Sequence, residues 1–477
     1  MGNDKENQTG TPTPAHESTW KQLLGAMWRS PLGLLGFTLA TISATMMVIV
    51  VIIDLLGLVL SPYTTVFAFL VLPGIMIIGL LLMPLAAYLR RQQMHRDGTS
   101  GEYLHINLSD HRHRKILVAF IIITVVNFGI LGVAGYGGFH FTESPYFCGM
   151  VCHQVMEPEY VAYQRSPHAR VRCVDCHIGP GADWFVKSKI SGLRQVVAMG
   201  TGNFSRPVPV PVEHLRPATD TCENCHWPEK FHGKRIKEFV SFTNNNQKEP
   251  RRTEVALHIG GRNPETDAFE GIHWHVSHAV EVRYLPVDKE RLQIARIQVT
   301  RPDGSYEEFV NEAIEVPAGA ENNWRLMDCI DCHNRPTHVF HDPVERVDFG
   351  LLSKAINGDI PGIRQDSLSA IKYDYASRQE AQEQLIPRLL ELQRQRNPEL
   401  ARQYESDIRK AGEYLLDSYL GNVWPDMKIE WGTYQSHLGH SFEENAYGCF
   451  RCHDSKHVSE KGRTISQDCS LCHDFPY

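Results

Sequence analysis

Cys148-Gly-Met-Val-Cys152-His153 is the first of six clusters in which two cysteines are followed at once by a histidine. The other five share a tighter spacing: Cys173-Val-Asp-Cys176-His177, Cys222-Glu-Asn-Cys225-His226, Cys329-Ile-Asp-Cys332-His333, Cys449-Phe-Arg-Cys452-His453 and Cys469-Ser-Leu-Cys472-His473. Two thiols about one helical turn apart reach the two vinyl groups of one haem, and the adjacent imidazole then meets the iron from below. Chance places on the order of 0.02 such motifs in a chain of this composition. The six clusters use all 12 cysteines. A zinc reading gives no reason for a histidine after each pair, and a disulfide reading explains neither spacing nor histidines. Six covalently bound haem c groups are the expectation.

Outward from these motifs the chain is asymmetric. Of 477 residues 42% are apolar, an ordinary share, but they crowd into the first 140 positions, while everything from about 145 onward is polar and histidine-rich. A polar segment, 1–31, carries Lys21 and Arg29 ahead of an apolar run from about Leu32 to Leu60, too long for a signal-peptide core. After a break at Ser61-Pro62-Tyr63 comes a second run, about Val66 to Leu89. A third runs from about Ile116 to Ala134 and ends in Gly135-Tyr136-Gly137-Gly138. Between the second and third lie Arg90, Arg91, Arg96, Arg112, Arg114 and Lys115. Three spans put this basic loop and the amino terminus on one side, which the positive-inside rule makes cytoplasmic. The rest then lies outside, in the periplasm of a bacterial inner membrane, where c-type haem is attached. Asp54 falls within the first run, where an ionisable group is costly.

A net charge of -7 argues against a nucleic-acid partner, which requires a basic footprint. Each low-spin haem needs a second axial ligand, usually histidine in an electron carrier. Thirteen histidines beyond the six in the motifs lie after the apolar runs, from His140 to His457, with His214, His232 and His258 among them. The favoured axial ligands are His168, five residues before the second motif, His338, five residues after the fourth, and His440, which leads into the fifth. One of His273, His275 and His278 also reaches a haem. Met156, three residues after His153, offers a thioether to the first iron.

The stretch from Phe147 to His226, with Phe-Cys-Gly-Met-Val-Cys-His, Ser-Pro-His168-Ala-Arg-Val-Arg-Cys and Thr-Cys-Glu-Asn-Cys-His-Trp-Pro, resembles the NapC/NirT/NrfH family of membrane-anchored quinol dehydrogenases. The resemblance implies menaquinol or ubiquinol oxidation at the first haem and electron delivery to a periplasmic reductase or to a soluble or outer-membrane cytochrome. It also implies a lysine near the quinol, for which Lys187 and Lys189, with Asp183, are the catalytic candidates. The chain departs from the family in having three apolar runs rather than one. Its first motif and the following methionine are each spaced one residue wider.

The expected fold is mainly α and haem-dominated: three transmembrane helices over 32–138, a four-haem domain over 139–345 and a small antiparallel β insertion at about 237–320. A helical linker over 346–420 and a two-haem module over 421–477 complete it. Alternation in Ala279–Tyr284 and Leu292–Val299 carries the β assignment, and the period of Ala381, Leu385, Leu389 and Leu392 carries the helical one. Two other functions compete with quinol oxidation and electron relay: a terminal reductase with an open haem position, and a relay subunit without its own quinol site.

Overall fold

The computed structural model describes residues 30–55, 67–96, 109–151, 153–179, 181–212, 216–228, 233–245, 247–441 and 447–474. The 1–29 segment, the break at Ser61-Pro62-Tyr63, Cys152, His214 and His232 lie outside the described residues, as do the side chains of Asp54, Arg91, Arg112, His153 and Asp183. The chain divides into two compact units, Met1–Phe147 and Cys148–Tyr477.

In the first unit the apolar runs form helices α1 (Pro31–Leu55), α2 (Leu72–Arg96) and α3 (His111–Thr142), each containing a stretch long and apolar enough to cross a membrane. Their outward side chains are aliphatic and exposed, as at Ile52, Leu81 and Ile122, which suits hydrocarbon and not water. Helices α1 and α2 meet through small residues. A Cβ on Gly79 would lie 2.7 Å from both the Ala40 nitrogen and the Gly36 carbonyl oxygen, so the backbones touch where Gly36 and Ala40, four apart, face Gly79. Helix α3 does not stop at the glycines. It continues to Thr142, because glycine weakens a helix without ending it and Phe139 and Phe141 extend the apolar surface.

The second unit begins with α4 (His153–Gln164), α5 (Cys173–His177) and the amphipathic α6 (Ala182–Gly200). Strands β1 (Lys234–Ser241) and β2 (Arg251–His258) form an antiparallel ribbon. Short strands β3 (Gly261–Arg262) and β4 (Phe269–Glu270) pair with each other. A five-stranded sheet contains β5 (Glu281–Pro286), β6 (Ile294–Thr300), β7 (Tyr306–Val310) and β8 (Arg325–Leu326), in the order β8-β5-β6-β7-β9. Its fifth strand, β9 (Val458–Ser459), comes from the C-terminal region, and β10 (His473–Asp474) joins the ribbon beside β2. The last two motifs are therefore woven into the β insertion. Two-residue strands carry no alternation, so the sequence pattern does not announce them.

A helical scaffold follows: α7 (Pro343–Leu352), α8 (Ile363–Ile371), α9 (Arg378–Arg396), α10 (Pro398–Gln403) and α11 (Glu405–Leu420). Ala381, Leu385 and Leu389 stack on one face of α9 and are fully buried with Ile408, Ala411 and Leu415 of α11, as the helical period predicts. A buried Arg364–Asp348 pair at 2.7 Å ties α8 to α7, and the Asp348 carboxylate also accepts from the Phe242 amide after the ribbon.

Candidate haem-binding centres

The cysteine pairs are held on short helical turns. Asp328 caps the turn at Cys329–Cys332 by accepting from the Cys329 amide, and Asp468 accepts from the Ser470 amide at the last motif. Asp331, inside the fourth motif, is buried; it accepts from the Tyr284 hydroxyl at 2.6 Å and lies 3.5 Å from Arg291, locking the motif to β5. Burial, then the Asp331 charge, push the Tyr284 hydroxyl far up, so it stays a donor.

Motifs adjacent in sequence are adjacent in space. Cys148 donates to the sulfur of Cys173, which this contact lowers to about 7. Cys176 feels Cys222, and Cys329 donates to Cys222, which that bond likewise lowers to about 7. Cys332 stands within reach of the charges of Cys449 and Cys452, and Cys472 within reach of that of Cys449. The six motifs thus run from first to last without a break. None of the described cysteines is joined to another in a disulfide, and among the described residues no three His, Cys, Asp or Glu side chains converge as a zinc site requires.

Four motif histidines face a second imidazole. The ring centres of His177 and His338 are 6.2 Å apart, those of His226 and His168 5.9 Å, those of His453 and His275 5.9 Å, and those of His473 and His440 6.4 Å. Two imidazoles ligating one metal from opposite sides, with bonds of about 2.0 Å, put their ring centres roughly 6.3 Å apart. The four spacings fit that slot. In three of these rings the outer nitrogen is held as a ligand's would be: Nδ1 of His275 donates to the Ile272 carbonyl at 2.8 Å, that of His338 to the Glu159 carbonyl at 2.9 Å and that of His453 to the Ser466 carbonyl at 2.9 Å. Buried Nδ1 of His168 has no hydrogen-bond partner in the protein. Burial lowers His177, His275 and His338 below the ordinary imidazole range, favouring the neutral form that metals bind. His333, of the fourth motif, is lowered by burial and then by the nearby His273, whose Nδ1 donates to the Ile259 carbonyl at 3.1 Å.

All three favoured axial histidines stand opposite a motif histidine, each from a different motif than its sequence neighbour suggests. His168 faces the third motif, His338 the second and His440 the sixth. His275 was one of three undifferentiated histidines in the sequence, and the turn Ile272–Val276 aims it at the fifth. Met156 is half-buried on α4, on the turn after His153.

The lysine candidates sit on α6. Lys187 lies over the Trp184 ring at 4.9 Å, and helical spacing puts Asp183 one turn before it. Lys189 lies two positions further, roughly 200° round the helix, so it belongs to a different face. Ile190, Leu193 and Val197 form an exposed apolar stripe on the same helix.

Residues 111–209, from the start of α3 through the second motif, match the NapC/NirT cytochrome c family, N-terminal region. The cytochrome c-type protein ImcH of Geobacter sulfurreducens is 39% identical over 463 residues, covering 96% of this chain and 90% of that protein. No solved structure matches.

Proposed function

The chain belongs to the NapC/NirT cytochrome c family, and from that membership we propose that it carries six haem c groups, oxidises membrane quinol and relays the electrons to an acceptor in the periplasm. Membership makes it a membrane-anchored electron-transport protein with covalently bound haem c. The observation that carries the finer reading is the unbroken spatial order of the motifs, which begins at Cys148, soon after α3 ends in the chain, and finishes on β10.

Haem c, when bound, supplies one-electron exchange at each motif. His177 with His338, His226 with His168, His453 with His275 and His473 with His440 would hold the iron in pairs, and Cys148 with Cys152 and the five other cysteine pairs would form the thioethers. His153 and His333 are the proximal ligands of the first and fourth motifs, with Met156 and His273 nearby. With two imidazoles available at each of these four motifs, haem bound there would be six-coordinate, which counts against a terminal reductase.

Quinol oxidation releases two protons with two electrons, so a base must stand beside the headgroup. Lys187, with Asp183 one helical turn before it on α6, is the proton-accepting pair, and Lys189 serves from the far side of the helix. The exposed stripe of Ile190, Leu193 and Val197, flanked by Lys187, Lys189 and Arg194, is what a helix lying in a lipid interface presents. Positive-inside orientation puts the haem-bearing unit on the periplasmic side of the inner membrane.

The test mixes purified, matured protein with a menaquinol analogue and follows haem reduction optically. Rapid reduction supports the reading, and none makes the chain a relay subunit. A Lys187→Ala/Lys189→Ala variant that oxidises quinol at the unchanged rate removes the proton-acceptor assignment.

A further inference from the structure

The β1–β2 ribbon has two chemically different faces. Cross-strand pairing puts Lys234, Glu238, Arg252, Glu254, His258 and Asp474 on one of them. There the charges cancel locally: Lys234 pairs with Asp474, and Arg252 with Glu238 at 2.7 Å. The other face carries Arg235, Lys237 and Arg251 and no acidic residue, and none of these three cations has a carboxylate partner among the described residues. Phe239 stands among them, 48% exposed, with the Lys237 ammonium 4.6 Å from its ring centre.

This cationic face also carries the last motif. His473 is opposite Leu257, which is opposite Arg235, so the proximal histidine of the sixth motif and Arg235 share one row across three strands, roughly 10 Å apart. The Cys472 carbonyl accepts from the His258 amide at 2.8 Å, fixing the motif to the ribbon. Leu471, inside the motif, is half exposed.

Lysine on an edge strand commonly guards against pairing with another chain. That role needs charge of either sign along an unpaired edge, and it covers Arg251 too, since β10 pairs only with Ala256 and Leu257 and leaves the other end of β2 open. It does not explain why the acids of the ribbon are confined to the opposite face in a chain whose net charge is -7. A local cationic patch with an exposed aromatic, next to the terminal redox centre of an otherwise acidic protein, selects a partner of opposite charge and steers its approach.

We infer that the Arg235/Lys237/Arg251 face is the exit dock, and that its partner is a soluble redox protein whose centre is rimmed by carboxylates. The inference deepens the relay reading and rests on it. One electron passes from a reduced haem iron of this chain to the oxidised iron of the partner, with no proton or bond change.

The probe is a small monohaem cytochrome c in two forms: native, with its basic lysine rim, and succinylated, with that rim turned acidic. The full-length holoprotein is held in nanodiscs and reduced with dithionite, and both the second-order rate to each probe and the binding constant for the oxidised protein are measured. The expected result is that Arg235→Glu/Lys237→Glu/Arg251→Glu slows transfer to the acidic form about tenfold at low salt and weakens its binding in step. Transfer to the native form stays the same or rises, and the loss fades as salt is added. The milder Arg235→Gln/Lys237→Gln/Arg251→Gln set gives a smaller loss in the same direction and covers misfolding of the reversed variant. Unchanged rate and binding for the acidic form overturn the dock. So does a variant that keeps the acidic form's affinity but loses adhesion to added phosphatidylglycerol vesicles, since the face is then lipid-binding. Because dithionite loads the electrons, failure of quinol to reduce the haems leaves this result standing, and failure of the dock leaves quinol oxidation standing.

Discussion

The Nδ1–H of His338 donates to the backbone carbonyl of Glu159 at 2.9 Å, and the same Glu159 holds Arg335 through both carboxylate oxygens at 2.9 Å. Arg335 closes the loop by donating from Nε to the His338 carbonyl at 2.6 Å, and its guanidinium lies over Tyr434 at 4.1 Å. Both charged groups are nearly inaccessible to water, with side-chain exposures of 7% and 11%. An ion pair so placed adds little against an apolar pair, but losing one member strands the other charge. Arg335→Leu is therefore expected to cost about 3–5 kcal/mol in a denaturant titration of the holoprotein. Its absorption and electron-spin spectra are expected to show the second motif partly high-spin, because His338 loses its orientation. Unchanged spectra with unchanged stability contradict the assignment.

The imidazole pairs make a prediction of a different kind. His275→Ala, His168→Ala and His440→Ala are each expected to convert one low-spin haem to high spin, at the fifth, third and sixth motif respectively. His341→Ala is the control: its ring lies near Arg346 and Arg165 and is not one of the four imidazole pairs, and no new high-spin signal is expected. Electron-spin resonance of the oxidised variants decides each case, and a high-spin signal in the control exposes an error in the pairing.

How much of this was legible in the sequence follows from the distance over which each interaction acts. The Cys-x-x-Cys-His unit is complete within five residues, so the sequence alone suffices to propose attachment sites and proximal ligands. The helices at Arg378–Arg396 and Glu405–Leu420 were readable because burial on one face leaves a period. The axial partners were not assignable to motifs, because the opposing imidazole arrives from a segment folded over the slot. His168 is 58 positions from His226, and His338 is 161 from His177. Strands β9 and β10 left no trace for the same reason: their partners lie in a sheet more than a hundred residues earlier. The cationic face of the ribbon depends on register, which alternation in Lys234–Ser241 alone does not supply.

His437 gives a pH prediction. Burial, followed by the charges of Arg451 and Arg291, lowers it from 6.5 to about 4. The unfolded state then binds the extra proton between those two values, so the contribution to stability is complete above pH 6.5 and is lost as pH falls toward 4. Since the ring is only half-buried, about 2 kcal/mol is expected after screening by water. Replacing His437 with Gln removes this titration. Melting curves of the two proteins are expected to converge near pH 4 relative to their separation at pH 7; parallel curves across that range refute the assignment.

The contact between Gly36 and Gly79 sets the final expectation, because it asks whether α1 and α2 are held by shape alone. Lipid tails are as apolar as leucine, so two membrane helices gain little from burying aliphatic side chains against each other. Close backbone approach is what remains, and it survives only while both positions stay small. Gly79→Leu introduces a Cβ 2.7 Å from the Ala40 nitrogen and from the Gly36 oxygen, both of them backbone atoms that cannot rotate aside. The helices must separate, at about 1–3 kcal/mol if the cost resembles overpacking elsewhere. Gly74→Leu, on the same helix with open space at its Cβ, is the matched control and is expected to cost little. Thermal inactivation in mild detergent, followed by loss of soluble holoprotein, compares the two. Equal behaviour of the variants means that the small-residue contact does not hold the pair together.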